Sequence, residues 1–118
     1  GIALFCGDSE SPVLEKLAAM HNAELHSLEA DILILPHHGS ESSYAEDFYA
    51  SVNPRYVAVS CGKLDRFNFP SQKIVTYFQK KNIPVLSTAD CGNISFLHEE
   101  ERIFFNRKMV LQEFYSIL

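Results

Sequence analysis

Short apolar runs alternate with amphipathic stretches along most of this chain. Four runs have the length and composition of buried strands, at residues 2–6, 31–35, 56–60 and 83–86. Between them, apolar residues recur at helical spacing, which predicts helices from residue 11 into the twenties, over 44–51, and from 70 to about 81. Because strands that alternate with helices usually pair in parallel, the pattern predicts an α/β sheet with flanking helices.

Capping residues indicate where these helices begin. Ser11 followed by Pro12 predicts the first start, because serine caps helices well and proline suits the first turn. Ser43 predicts the cap of the second helix, which the turn at 53–54 closes. Pro70 opens the third helix, whose expected buried face consists of Ile74, Tyr77 and Phe78.

The C-terminal part of the chain has a different pattern. Residues 93–98 and 102–106 predict an antiparallel hairpin that turns at the acidic run 99–101. Residues 108–118 predict a short amphipathic helix. With this hairpin the sheet becomes mixed at its edges, and the expected organisation is one domain over residues 1–118.

Composition and charge narrow the class of protein. A length of 118 residues with 47% hydrophobic residues fits a single compact core. The net charge of -5 argues against nucleic-acid binding through a basic patch, so a phosphate substrate would need bound cations or a local cluster of Arg and Lys. The three cysteines have no metal-site spacing, and we expect core thiols. We also expect a soluble segment that is a piece of a longer protein.

Polar residues follow the first two predicted strands at the points where they end. The first strand ends in Gly7-Asp8, and the second ends in Pro36-His37-His38-Gly39-Ser40. Because the carboxyl ends of parallel strands meet at one edge of a sheet, we expect these side chains to lie near each other. A carboxylate can bridge two divalent ions and an imidazole can bind one of them, so Asp8 and His37 are candidate metal ligands.

Each of these residues also has a structural explanation. Asp8 could cap the following helix, and the two histidines could belong to an ordinary polar turn. Neighbouring strand residues point to opposite sides, so at most one of His37 and His38 is expected to face a shared metal. The other histidine would orient the metal-binding one, contact substrate or transfer a proton. His38 is therefore also a catalytic candidate.

Two further residues are candidates for substrate binding. Arg66 could clamp a phosphate through a bidentate contact, or pair weakly with Asp65 in a solvated loop. Ser40 could contact substrate, although capping explains it better. A serine hydrolase that uses Ser40 with His38 is a third interpretation, but the flanking sequence does not form a nucleophile elbow.

The order of these motifs resembles a known family. Gly7-Asp8, the block 30–40, the strand 56–60 with Cys61-Gly62, and Asp65-Arg66-Phe67 resemble the C-terminal half of a metallo-β-lactamase-fold domain over roughly residues 2–98. Within that superfamily the chain is most similar to the hydrolase domain of the ComEC-type DNA-internalisation competence proteins and to their soluble stand-alone bacterial relatives.

The resemblance implies an αββα sandwich with two divalent metal ions, zinc or manganese, that hydrolyses phosphodiesters as a nuclease or phosphodiesterase. It implies that Asp8 bridges the metals and that His37, or else His38, completes one metal shell. The expected partners are a nucleic acid or another phosphodiester and the N-terminal half of the domain, with no membrane contact from this segment. The implied location is cytoplasmic for a stand-alone protein, or attached to a membrane protein in a competence channel.

The sequence departs from the family in two places. The motif His-x-His-x-Asp-His, which belongs to the N-terminal half, does not occur in these 118 residues, so the segment alone is expected to be inactive. The family often has Arg-Phe-Gly-His-Pro-His where this chain has residues 66–71, Arg-Phe-Asn-Phe-Pro-Ser. The alternative expectation is a non-catalytic binding or structural module that retains the metallo-β-lactamase fold.

Overall fold

The computed structural model describes residues 2–62, 68–97, 102–107 and 110–115. A parallel sheet of four strands forms its centre, in the order β1-β2-β3-β4. Its members are β1 (Ala3–Phe5), β2 (Ile32–Ile34), β3 (Tyr56–Val59) and β4 (Val85–Ser87). The predicted α/β class and all four predicted strands are confirmed.

Helices connect these strands and cover one face of the sheet. They are α1 (Ser11–Asn22), α2 (Glu46–Val52) and α3 (Gln72–Lys80), with a short α4 (Thr88–Cys91) after β4. Two 3₁₀ turns, Pro36–Gly39 and Glu41–Ser43, lie between β2 and α2. The main core lies between the sheet and α1–α3, and its fully buried members include Leu14, Leu33, Phe48, Val57, Ile74 and Phe78.

The opposite face of the sheet is less well covered by the described residues. A smaller buried cluster there contains Ile32, Tyr56, Leu86 and Cys91, with Ile94 and Phe96 packed against it. Beside this cluster lies an apolar groove of about 360 Å³ that includes Phe5 and Ile34 in its lining. Phe5 is 71% exposed. As parallel sheets normally bury both faces, an exposed apolar surface of this kind is unusual.

Two predicted helix caps are wrong, because their hydroxyl groups bind loop carbonyls instead. The N-cap of α1 is Glu10, whereas Ser11 Oγ donates to the carbonyl oxygens of Ser42 and Tyr44, both at 2.7 Å. Helix α2 begins at Glu46, and Ser43 lies buried in the preceding loop. Both serines therefore stabilise the connection after β2. The cap of α3 is Ser71, one residue after Pro70.

The C-terminal strands form a second, antiparallel sheet in the order β5-β6-β7. The predicted mixed sheet is therefore wrong, because in the described residues the hairpin strands pair with each other and with the strand that follows them, and not with the parallel strands. The hairpin of β5 (Asn93–Leu97) and β6 (Arg102–Arg107) is confirmed. The predicted tail helix is wrong, since β7 (Val110–Tyr115) pairs with β6 along six positions. A helix of eleven residues is marginal by itself, whereas an adjacent strand offers a full ladder of backbone hydrogen bonds.

Within the ranges that the structure describes, no helix is both long and apolar enough to cross a membrane.

Candidate functional site

The turns after β1 and β2 meet at the carboxyl edge of the parallel sheet. The backbone N–H of His37 donates to the Gly7 carbonyl oxygen at 2.8 Å, which places the Asp8 turn directly beside the histidine loop. Gly7 has φ +57° in a turn whose next residue, Asp8, is exposed. The expectation that Asp8 and His37 lie at one edge of the sheet is therefore confirmed.

The histidine loop has an uncommon backbone. His37, His38 and Gly39 have φ values of 49°, 53° and 77°, so three consecutive residues are left-handed. Glycine adopts this conformation freely, but for other residues it costs of order 1 kcal/mol each. Such strain persists only where the surrounding structure imposes it, and it is frequent at functional sites.

Contacts on both sides hold this loop in place. The fully buried Ser43 donates its hydroxyl to the carbonyl oxygens of Ser40, at 2.7 Å, and Pro36, at 3.1 Å. The Ser71 N–H donates to the Gly39 carbonyl oxygen at 2.8 Å. Gly39 also packs so closely against Pro70 that an added Cβ would lie 2.6 Å from the proline Cβ. These contacts impose the left-handed conformation.

The two imidazole rings have different partners. His37 Nδ1 lies 3.3 Å from Ser42 Oγ and 3.6 Å from Glu10 Oε1. His38 Nδ1 lies 2.9 Å from the carbonyl oxygen of Ser60, at the end of β3. Three strand ends are thus joined through this loop.

The expectation that the two histidines alternate as strand residues is wrong, because they lie in a left-handed turn after β2. Both rings lie against the same neighbour, Phe69, with centroid distances of 6.3 Å for His37 and 6.4 Å for His38. The rings of Phe69 and His38 are nearly parallel, at 12°. Phe69 therefore stacks on His38.

The contacts also bear on the interpretation as a serine hydrolase. Ser40 caps the turn 41–43 and bonds to Ser42 Oγ at 3.0 Å, whereas His38 bonds to the Ser60 carbonyl. Ser42 and Glu10 both approach the same nitrogen of His37. A serine–histidine–carboxylate relay needs the serine and the carboxylate on opposite ring nitrogens, so this arrangement does not form one.

Asp8 is not the helix cap, since that position belongs to Glu10. Arg66 and its alternative partner Asp65 lie outside the described residues. Burial raises the pKa of the Cys6 thiol at the end of β1, which disfavours the thiolate that metal binding requires. Cys6 packs against the main core.

Across the part of the chain that the structure describes, no group of three His, Cys, Asp or Glu side chains could hold a metal ion. These residues therefore do not fit a complete metal centre by themselves. Asp8 and His37 are two candidate ligands on adjoining turns, and any further ligands would come from elsewhere.

Sequence reasoning missed Glu10 and Ser42, which both contact the His37 ring. Glu10 lies two residues after Asp8, and Ser42 lies between Ser40 and Ser43, for which the sequence favours capping. Their roles depend on the left-handed turn, which brings the His37 ring back towards α1. The sequence contains no local signal for that turn beyond Gly39.

No protein-family model matches this chain. The chain is 34% identical over 73 residues to ComE operon protein 3 of Bacillus subtilis (strain 168), a match that covers 62% of the chain and 9% of the relative. It is 28% identical over 93 residues to Competence protein ComA of Neisseria gonorrhoeae, covering 79% of the chain and 13% of the relative. It is 25% identical over 114 residues to the uncharacterized protein YcaI of Escherichia coli (strain K12), covering 95% of the chain and 15% of the relative.

The first two of these matches show a relation in sequence to proteins named for competence. The chain spans only 9% to 15% of the length of these relatives.

Proposed function

We propose that this chain is the C-terminal half of a metal-dependent hydrolase domain in a competence-related protein that takes part in DNA uptake. The hydrolase would be a nuclease or another phosphodiesterase with a metallo-β-lactamase-like fold. The relation to competence proteins supports the biological role. We call the proposed longer polypeptide the parent protein.

One observation carries this proposal most directly. The hydrogen bond from His37 N–H to the Gly7 carbonyl oxygen joins the turn of an exposed carboxylate to the strained loop of two histidines. Carboxylate and imidazole groups on adjoining, rigid turns are suited to bind a metal ion together. Asp8 and His37 would supply part of a metal site, and the parent protein would supply the other ligands and the two divalent ions.

The other candidate residues would act on the substrate. His38 lies beside His37 and would contact the phosphodiester or transfer a proton. Ser40 and Arg66 remain candidates for substrate binding. With a net charge of -5, the chain needs cations at this edge to attract a phosphate group.

The poorly covered face of the parallel sheet supports the proposal that this is half of a sandwich. Phe5, Ile34 and their neighbours form an apolar surface where a complete fold would place another layer. A second sheet from the parent protein would cover this surface and bring the remaining metal ligands towards the same edge.

Hydrolysis of DNA by the purified parent protein tests the proposal. Asp8→Asn and His37→Gln should each lower the rate at least about a hundredfold, because a metal ligand is lost. Glu15→Gln, which removes an exposed carboxylate on α1, is the matched control and should leave the rate unchanged. A parent protein that hydrolyses DNA equally well with both site variants would contradict the proposal.

The second candidate is a non-catalytic binding or structural module. The finding that favours it is that the described residues contain no group of three ligands. The sequence that precedes this chain in the parent protein separates the two candidates. A His-x-His-x-Asp-His motif there supports the hydrolase, and an unrelated segment supports the module.

A further inference from the structure

Both histidines of the loop have a partner at Nδ1, and these partners indicate which ring nitrogen remains for a ligand. For His38 the partner is the Ser60 carbonyl oxygen at 2.9 Å. A carbonyl oxygen can only accept a hydrogen bond, so Nδ1 carries the proton. The lone pair of the neutral His38 ring is therefore on Nε2.

For His37 the partners are two side chains. Glu10 Oε1 lies 3.6 Å from Nδ1, and its negative charge would attract an N–H and repel a lone pair. Ser42 Oγ lies 3.3 Å from the same nitrogen and 3.0 Å from Ser40 Oγ. The Ser42 hydroxyl can donate its proton to Ser40 and accept one from His37, which again favours a proton on Nδ1.

We propose that Glu10 and Ser42 are positioning residues that keep neutral His37 in the Nδ1–H form, so that Nε2 is its ligand-binding nitrogen. This inference deepens the proposed function and rests on it for the nature of the ligand. The turn that carries Asp8 continues directly into Glu10, the N-cap of α1. One short segment therefore supplies both a candidate ligand and the carboxylate that orients its neighbour.

The partners that fix the tautomer can be removed by substitution for His37 but not for His38. Substitution can delete the side chains that face His37, but it cannot delete the backbone carbonyl that faces His38. His38 is consequently an internal reference for any experiment on His37, and both rings lie at similar distances from Phe69.

Long-range ¹H–¹⁵N NMR of the imidazole groups tests the inference in the 118-residue chain, at a pH where both rings are neutral. In the unchanged chain, both histidines should carry the proton on Nδ1. In the double variant Glu10→Ala/Ser42→Ala, His37 should shift towards the Nε2–H form that free histidine prefers, while His38 stays unchanged. Ser42→Thr, which retains the hydroxyl, should preserve the Nδ1–H form when Glu10 is present.

Glu15→Ala is the matched control for the loss of a carboxylate from α1, and it should leave both rings unchanged. Because Glu10, Ser42 and Glu15 are all exposed, these variants should fold like the unchanged chain. An Nε2–H form of His37 in the unchanged chain, or an Nδ1–H form that persists in the double variant, would overturn the inference.

Zinc affinity of the parent protein separates this inference from the proposed function. If both are right, Glu10→Ala/Ser42→Ala weakens zinc binding about tenfold or more. A parent protein that binds neither zinc nor manganese, with the NMR result as expected, would overturn the function and leave the orientation of His37 intact. Unchanged zinc affinity in the double variant, with no change in the NMR spectrum, would overturn the inference alone.

Discussion

At the scale of single residues, the candidate site depends on a loop whose unfavourable left-handed backbone is stabilised by the packing around it. Gly39 is central, since it combines φ +77° with close contact to Pro70. Gly7, in the neighbouring turn, also has a positive φ, but among the described residues other than its two chain neighbours no atom lies within 4 Å of where a Cβ would be. The two glycines therefore separate the effect of backbone conformation from that of crowding.

Gly39→Ala should lower the free energy of unfolding by about 3 kcal/mol or more, because the new Cβ would meet Pro70 and the left-handed backbone would be strained. Gly7→Ala should cost only about 1 kcal/mol, for the backbone conformation alone. Urea unfolding of the chain measures both values. Equal losses in the two variants would show that Gly39 is not held by Pro70.

The sequence predicted where Asp8 and His37 lie in the fold, but it did not predict the geometry of the histidine loop. Asp8 and His37 could be placed at one edge because strand ends in a parallel sheet share that edge. The orientation of His37 and His38 could not be predicted, because it follows from a turn that tertiary contacts with Ser43 and Pro70 hold in place. No periodicity or cap signal in the sequence indicates these contacts. The same turn explains why Glu10 and Ser42 were missed.

At the scale of secondary-structure elements, the strands were easier to predict than the caps and the C-terminal tail. Each strand of the parallel sheet is an apolar run of distinctive length, so its burial is visible in the sequence. Ser11 and Ser43 look like caps, but whether a hydroxyl binds its own helix or a distant carbonyl is decided by tertiary contacts. The tail became a strand because β6 lies beside it.

The two faces of the parallel sheet should respond differently to substitution. Leu33→Ala should lower the free energy of unfolding of the chain by about 2–5 kcal/mol, because Leu33 is fully buried against the helices. Phe5→Ala should cost less than about 1 kcal/mol in the chain, because this ring is largely exposed. Chemical unfolding followed by circular dichroism measures both effects.

The same pair of variants in the parent protein tests whether another layer covers this face. If another layer covers the face, Phe5→Ala should lower the free energy of unfolding of the parent protein by about 3 kcal/mol or more, because the ring would be buried. Leu33→Ala is the control, and it should be strongly destabilising in both proteins. A Phe5→Ala cost that stays small in the parent protein would contradict the proposed sandwich.

At the scale of the whole molecule, the chain combines a well-formed core on one face of its parallel sheet with an opposite face that the described residues cover less well, and the candidate site lies at the carboxyl edge of that sheet. The relatives named for competence are matched over at most 13% of their length. A partial ligand set, an apolar sheet face and a short match to longer proteins are all expected of one half of a larger domain. The central claim is that this half contributes Asp8 and His37 to a metal site that the parent protein completes.

Metal content, determined by elemental mass spectrometry on the 118-residue chain and on the parent protein purified identically, tests that claim most directly. We predict about two divalent ions per parent molecule and almost none in the chain alone. Loss of metal from the parent protein in Asp8→Asn and His37→Gln would assign the two ligands. A parent protein that contains no metal would contradict the account and favour a non-catalytic module.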